Sequence, residues 1–311
     1  MELHQLAGRT VSLVGLGCNS VGARVDDERS IEVVHAALDN GITFYDTADV
    51  YGQGHSEEML GKGLGSRRDD VVIATKFAVQ MGDDPSHRGA SPRWVKQAAE
   101  DSLRRLGTDR IDLYQQHEPD PDVPLEETLG ALHELVEAGK VLALGCSKFT
   151  GDLIRQANGL ADDKGLTPLR TSQNEYSLLA RGAEQDVIPT CLEQGVDFLP
   201  FYPLGRGLLT GKYKRDAPLP PEGRITKMTE EQAAPLLSQE NFDLVDRLTA
   251  FAADRGHTLL ELAFAWLVAQ PSVGCVIAGA TSRSQIESNV AAAGWKLSGA
   301  ELDEVDKLTT P

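Results

Sequence analysis

No apolar stretch in this 311-residue chain approaches the length a bilayer demands. The longest candidate, Leu259 to Ala269, is short and interrupted by Glu261. The opening residues, MELHQLAGRT, lack the apolar core of an export signal and carry Glu2 early, so the expected location is cytoplasmic. Cysteine is scarce: Cys18, Cys146, Cys191 and Cys275 are scattered without a CxxC pair and read as reduced, mostly buried thiols. Positive charge is also in deficit, with 47 acidic residues against 30 basic ones and a net charge of −17. Such a surface repels phosphate backbones and anionic membranes, which argues against nucleic acid or lipid as partners. An anionic cofactor would have to be held by a local basic cluster working against the global field.

Linkers are missing as well. No break is rich enough in Pro, Gly or Ser to separate domains, so residues 1–311 read as one unit. Within it, strand-like and helix-like segments alternate. The strands are Val11 to Leu16, Ile42 to Tyr45, VVIAT from Val71, Ile111 to Gln116, VLALGC from Val141, LRTSQ from Leu169, VDFLPF from Val196, and Val273 to Ile277. Ile31, Val34 and Leu38 fall on one helical face, and Ser91-Pro92 is a good helix start. Eight strands with helices between them predict an α/β fold, a single (β/α)8 TIM barrel. A doubly wound sheet is the rival, but Gly15-Leu16-Gly17 is followed by CNSVG, only a partial match to GxGxxG. Two additions stand out: a long Gly- and Pro-rich loop after strand seven, Pro203 to Pro235, and an extra C-terminal helix, Leu297 to Leu308, with a Ser298 cap.

In a parallel barrel all strands present their C-terminal ends on one face. Asp46, Lys76 and His117 fall just past three such ends, and Tyr51 follows Asp46 by five residues. Each has an ordinary structural explanation taken alone, as a turn residue, a packing aromatic, a surface lysine or a loop histidine. Together they assemble an acid, a phenol, an amine and an imidazole at one mouth. A phenol has a pKa near ~10 and is a weak acid at neutral pH. A nearby ammonium stabilises its phenolate, so Lys76 is expected to lower the Tyr51 pKa, with Asp46 holding the ammonium charged.

GITFYDTADVYG, Gly41 to Gly52, resembles the signature of the aldo-keto reductase family. IATK ending at Lys76, DLYQQH ending at His117, GCSKF from Gly145, QNEYSLL from Gln173, PLGRGLLTGKY from Pro203 and IAGATSRSQIESN from Ile277 are similar to that family's further motifs, in its order. The resemblance covers nearly the whole chain. It implies hydride transfer between NADPH and a small-molecule carbonyl without metal, with Tyr51 as general acid assisted by Lys76, Asp46 and His117.

The same resemblance assigns the cofactor contacts. Gly17, Cys18 and Asn19 would bring backbone amides near the cofactor, beside Asp46. Ser147 and Gln173 would take the nicotinamide carboxamide, with Lys148 standing where the family commonly has Asn. Phe201 or Tyr202 would stack on the ring. Pro203, Leu204, Gly205, Arg206, Leu208 and Lys212 would lie along the pyrophosphate, where glycines let backbone amides approach. Gly279, Ala280, Thr281 and Arg283 open the last helix, a good anion site, and are assigned the 2′-phosphate; Gln285 and Asn289 match positions around the adenine. Substrate choice is expected in the loops Phe77 to Gly89 and Glu118 to Pro124, with Trp94, Phe77, Asp49 and Val50 as pocket candidates. Two other functions fit the same residues: a nucleotide-binding regulatory subunit like the channel-associated members of the family, and a Schiff-base aldolase or lyase using Lys76. No feature points to a particular oligomeric state.

Overall fold

A computed structural model describes residues 2–309. The chain opens with an antiparallel hairpin, β1 (Leu3–Leu6) and β2 (Arg9–Ser12), turned by Ala7-Gly8, whose φ values of 49° and 77° suit a two-residue hairpin turn. The expected first strand, Val11 to Leu16, is therefore two elements. Its first half belongs to the hairpin, and β3 (Val14–Gly17) begins the barrel.

Eight parallel strands follow one another around the sheet: β3, β4 (Phe44–Asp46), β5 (Val72–Phe77), β6 (Leu113–Gln116), β7 (Leu144–Ser147), β8 (Leu169–Glu175) and β9 (Asp197–Phe201), with β10 (Val276–Gly279) beside β3. A Phe198–Val273 bridge joins β9 to the segment just before β10 and closes the circle. The fold is a (β/α)8 barrel.

The helices between strands are α1 (Asp27–Asp39), α2 (His55–Leu64), α3 (Pro92–Leu106), α4 (Leu125–Glu137), α5 (Gly151–Lys164) and α6 (Val187–Gln194). Ser91 caps α3 by accepting from the Trp94 amide, as its Ser-Pro start suggests. After β9 come the one-turn α7 (Glu230–Ala233), then α8 (Gln239–Ala253), α9 (Leu259–Val268), α10 (Arg283–Ala292) and α11 (Gly299–Thr309). The loop after strand seven is thus followed by a long helix, α8, that sequence reasoning passed over. Ser298 and Glu301 cap α11 reciprocally.

Period-two alternation along the strands decides what fills the barrel. Phe44, Ala74, Leu113, Leu199 and Ile277 pack with Leu6 and Val11 of the hairpin into one apolar cluster, the floor of the interior. The inward positions above that floor are polar: Asp46, Lys76, Gln115, Thr171 and Gln173, all buried. Outward residues such as Tyr45, Ile73, Tyr114 and Cys146 join the larger core between strands and helices. Among the described residues no helix is long and apolar enough to cross a membrane.

Candidate active site

Asp46 ends β4, Lys76 is the penultimate residue of β5, and His117 immediately follows β6. The His117 amide donates to the Phe77 carbonyl (2.9 Å), which anchors it to the neighbouring strand end. Lys76 is fully buried, and its ammonium donates to both Asp46 oxygens (2.7 Å each) and to the Thr47 carbonyl (2.8 Å). The ammonium sits 5.4 Å from the centre of the Tyr51 ring. On Tyr51, the His117 ring packs edge-to-face with centroids 5.8 Å apart. The four side chains meet at one mouth.

Electrostatics sharpen their roles. Burial works against the Lys76 ammonium, but Asp46 and Tyr51 outweigh it and hold its pKa above the ordinary value. For Tyr51 the expected downward shift does not hold. Burial raises its pKa more than Lys76 lowers it, and Asp46 and Tyr202 add to the rise. The phenol therefore keeps its proton at neutral pH. Burial, then Lys76 and Lys148, pull His117 down to about 2, so its imidazole is neutral. Its Nδ1 is buried without a hydrogen-bond partner among the described residues.

The residues expected around a cofactor line the same rim. Gly17 pairs with Gly279 across β3 and β10, and Asn19 lies beside Gly279. The Cys18 amide donates to the Asp46 carbonyl (2.8 Å), strand pairing running one residue past β3, and burial pushes its thiol far up. Ser147, the last residue of β7, pairs with Gln173 of β8, and both are buried. The Gln173 amide nitrogen donates to Asp46 Oδ1 (2.9 Å), which leaves its carbonyl oxygen for a ligand. Lys148 has a left-handed backbone (φ 59°), and its ammonium turns to Glu118 at 3.2 Å.

Phe201 ends β9 and meets Tyr202 edge-to-face at 5.1 Å. Guanidinium groups engage the Tyr202 ring: Arg206 lies 4.1 Å and Arg224 4.6 Å from its centre, and Arg224 also donates to its hydroxyl (3.1 Å). From Tyr202 to Gly211 the loop holds Tyr202, Gly205, Arg206, Gly207 and Gly211 at positive φ. Left-handed backbone at Tyr202 and Arg206, which are not glycines, is the kind of strain that gathers at ligand clamps, on the order of 1–3 kcal/mol each. Pro203 and Leu208 are buried beneath this loop, and Leu204 packs on the core. Lys212 is exposed, with its Nζ 5.4 Å from the Tyr213 ring centre.

Sequence reasoning missed Arg224. It makes no ion pair with a described residue, its Nε is buried without a partner, and burial lowers its pKa, opposed by Tyr202 and reinforced by Arg24 and Arg206. A half-buried guanidinium without a carboxylate, in a chain of net charge −17, is shaped for an anion from outside. Its signal is tertiary, for nothing in the letters around it says it will stand unpaired.

At the far end of the rim, Ser282 caps α10 by accepting from the Gln285 amide, and Gln285 Oε1 in turn accepts from the Thr281 amide (2.8 Å). Asn289 is buried on the same helix and Ala280 just before it. Arg283 pairs with Asp39 at 3.0 Å, both largely exposed, so the pair is weak and exchangeable. A second arginine joins them: Arg29 donates to the Thr281 carbonyl (2.9 Å).

Three of the pocket candidates turn away from the mouth. Phe77 points outward and packs on Tyr114, because the inward position of that strand end belongs to Lys76. Trp94 stacks on His87, and Asp49 is buried in the same outer cleft of about 310 Å³. Val50 remains half-buried beside Tyr51.

Comparison with known proteins decides the family. Residues 13–310 match the model of the aldo/keto reductase family. The chain belongs to that family. It is 35% identical over 317 residues to aldo-keto reductase YhdN of Bacillus subtilis (strain 168), covering 99% of this chain and 93% of that protein. It is likewise 35% identical over 308 residues to probable aldo-keto reductase 1 of Glycine max, covering 96% of this chain and 85% of that protein. Like the family as a whole, this aldo-keto reductase is an oxidoreductase acting on carbonyl compounds.

Proposed function

We propose that this aldo-keto reductase reduces an aldehyde or ketone to an alcohol with NADPH, and that Tyr51 is the general acid. The observation that carries this reading is the buried Lys76 ammonium held by both oxygens of Asp46 while facing the Tyr51 ring. When bound, the nicotinamide supplies the hydride. Reduction places negative charge on the carbonyl oxygen, and a donor aimed there must neutralise it. Tyr51 holds its proton until that charge develops, then delivers it from its hydroxyl. The phenolate left behind is stabilised by Lys76, which Asp46 keeps charged. Neutral His117 offers a hydrogen bond rather than a proton. Because Nδ1 is buried with no partner among the described residues, we assign its proton to Nε2.

The rim fits a dinucleotide. Ser147 and the free carbonyl of Gln173 suit a carboxamide, and Phe201 is the aromatic whose faces are not taken by guanidinium groups. The left-handed loop, with Arg206, Arg224 and Lys212, supplies the local positive charge that a pyrophosphate needs on an acidic protein. Thr281, Arg283 and Arg29 favour a 2′-phosphate at the start of α10, and hence NADPH over NADH. Four buried, unpaired cysteines suit a reducing cytoplasmic compartment.

The raised pKa of Lys76 opposes a Schiff-base mechanism, which needs a neutral amine. Among the described residues the large exposed apolar side chains are Leu3, Leu142 and Leu192, too few for the docking stripe of a regulatory subunit. The test is loss of near-ultraviolet absorbance from NADPH mixed with aromatic and aliphatic aldehydes and ketones. Turnover with NADPH exceeding that with NADH supports the reading; bound nucleotide without turnover on any carbonyl contradicts it.

A further inference from the structure

Strand register places Gln115 of β6, Gly145 of β7 and Thr171 of β8 side by side on one rung of the barrel interior. The middle position has no side chain, and the space is used. A Cβ on Gly145 would lie 2.1 Å from Thr171 Oγ1 and 3.0 Å from Gln115 Cγ. Across that gap the Thr171 hydroxyl donates to Gln115 Oε1 (3.3 Å). Gln115 Nε2 donates in turn to Asp46 Oδ1 (3.4 Å), and all three polar side chains are buried. Asp46 Oδ1 thus receives donors from Lys76, Gln173 and Gln115, whereas Oδ2 is bonded by Lys76 alone among the described residues.

We propose that Gln115 is a positioning residue for the reaction, held in orientation by Thr171 across Gly145. The proposal rests on the reading of Tyr51 and Lys76 given above and extends it one layer deeper into the barrel. An amide can present either end to a carboxylate, and only the nitrogen end is favourable. The Thr171 hydroxyl, by binding Oε1, turns Nε2 toward Asp46. The donors on Oδ1 fix the plane of the carboxylate and disperse part of its charge. That leaves the Lys76 ammonium aimed at Tyr51 rather than drawn fully toward Asp46. Without Gln115, Asp46 binds Lys76 more tightly and the phenolate forming on Tyr51 loses support. Gln115 touches no reacting atom, so its effect falls on proton delivery and not on ligand binding.

The experiment compares kcat, KM for both substrates and the solvent deuterium isotope effect on kcat in the wild type, Gln115→Leu, Thr171→Val and Thr171→Ser. For Gln115→Leu the expected result is a loss of about ten-fold in kcat, the loss a single weakened transition-state contact produces. Both KM values should stay within about two-fold, the pattern of an interaction felt in the transition state. The isotope effect should rise, because proton transfer becomes slower relative to the other steps. Thr171→Val should shift kcat and isotope effect in the same direction by less, and Thr171→Ser, which keeps the hydroxyl, should restore both. If Gln115→Leu fails to fold, the contrast between Thr171→Val and Thr171→Ser decides alone. An active wild type with unchanged kcat and isotope effect in the variants overturns the positioning role only. A wild type that binds NADPH but turns over no carbonyl overturns the underlying reading and this proposal with it.

Discussion

The Lys76 ammonium stands 5.4 Å from the centre of the Tyr51 ring while it bonds the Asp46 carboxylate in the floor of the same mouth. One buried cation thus serves two partners, a carboxylate always and a phenolate only when Tyr51 gives up its proton.

Removing that cation has separable consequences for stability and turnover. Lys76→Met strands the Asp46 carboxylate in the interior, and a broken buried pair costs about 3–5 kcal/mol. Lys76→Met combined with Asp46→Asn removes both charges and should recover much of the stability while activity stays lost. Denaturant melts and NADPH turnover on the single and double variants check both halves.

His117 should act as a donor at every pH at which the protein is folded. Its folded pKa, pulled to about 2, lies below the unfolded value of 6.5. Its contribution to stability is therefore present above pH 6.5 and lost as pH falls from there toward the folded value. His117→Gln, which keeps an N–H donor, should lose less stability than the wild type on going from pH 7 to pH 4. It should also retain more activity than His117→Ala. Melting temperatures at the two pH values and turnover at neutral pH measure this.

Asp49 carries the opposite sign. Burial, then Glu57, raises its carboxyl from 3.8 to about 8, against the smaller opposing effects of the Val50 amide, Arg105 and Lys76. A raised acid contributes stability that is full below the unfolded value and lost as pH rises through the folded one. Wild-type stability should decline from pH 6 to pH 9, and Asp49→Asn should flatten that decline. Chemical denaturation at both pH values is the check.

Arg224 should matter to nucleotide binding rather than to chemistry. Arg224→Met preserves much of the contact with the Tyr202 ring but removes the charge. The expected result is NADPH binding weakened by about ten-fold or more, as for a lost charge-assisted contact, with kcat at saturation little changed. Equilibrium titration by nucleotide fluorescence, repeated at higher salt, measures the loss.

Much of this site was legible because a parallel barrel converts chain position into spatial position. Asp46, Lys76 and His117 needed only strand ends on one face to be brought together. The hairpin escaped notice because Ala7-Gly8 is a weak turn signal and Val11 continues smoothly into the barrel strand. Helix α8 (Gln239–Ala253) escaped because no segment was assigned between the end of the polar loop at Pro235 and the apolar run from Leu259. The direction of the Tyr51 shift, the unpaired Arg224 and the rung joining Gln115 to Thr171 depend on burial and on the absence of neighbours. Local sequence encodes neither. Phe77 was misplaced by one step of strand alternation: the residue after an inward lysine must point out.

The most direct measurement of the central claim is single-turnover reduction by Tyr51→Phe, with NADPH affinity determined on the same preparation. The variant should bind NADPH within about two-fold of the wild type and lose at least ~100-fold in the rate of carbonyl reduction, the scale of a removed general acid. Full-rate reduction by Tyr51→Phe would contradict the account.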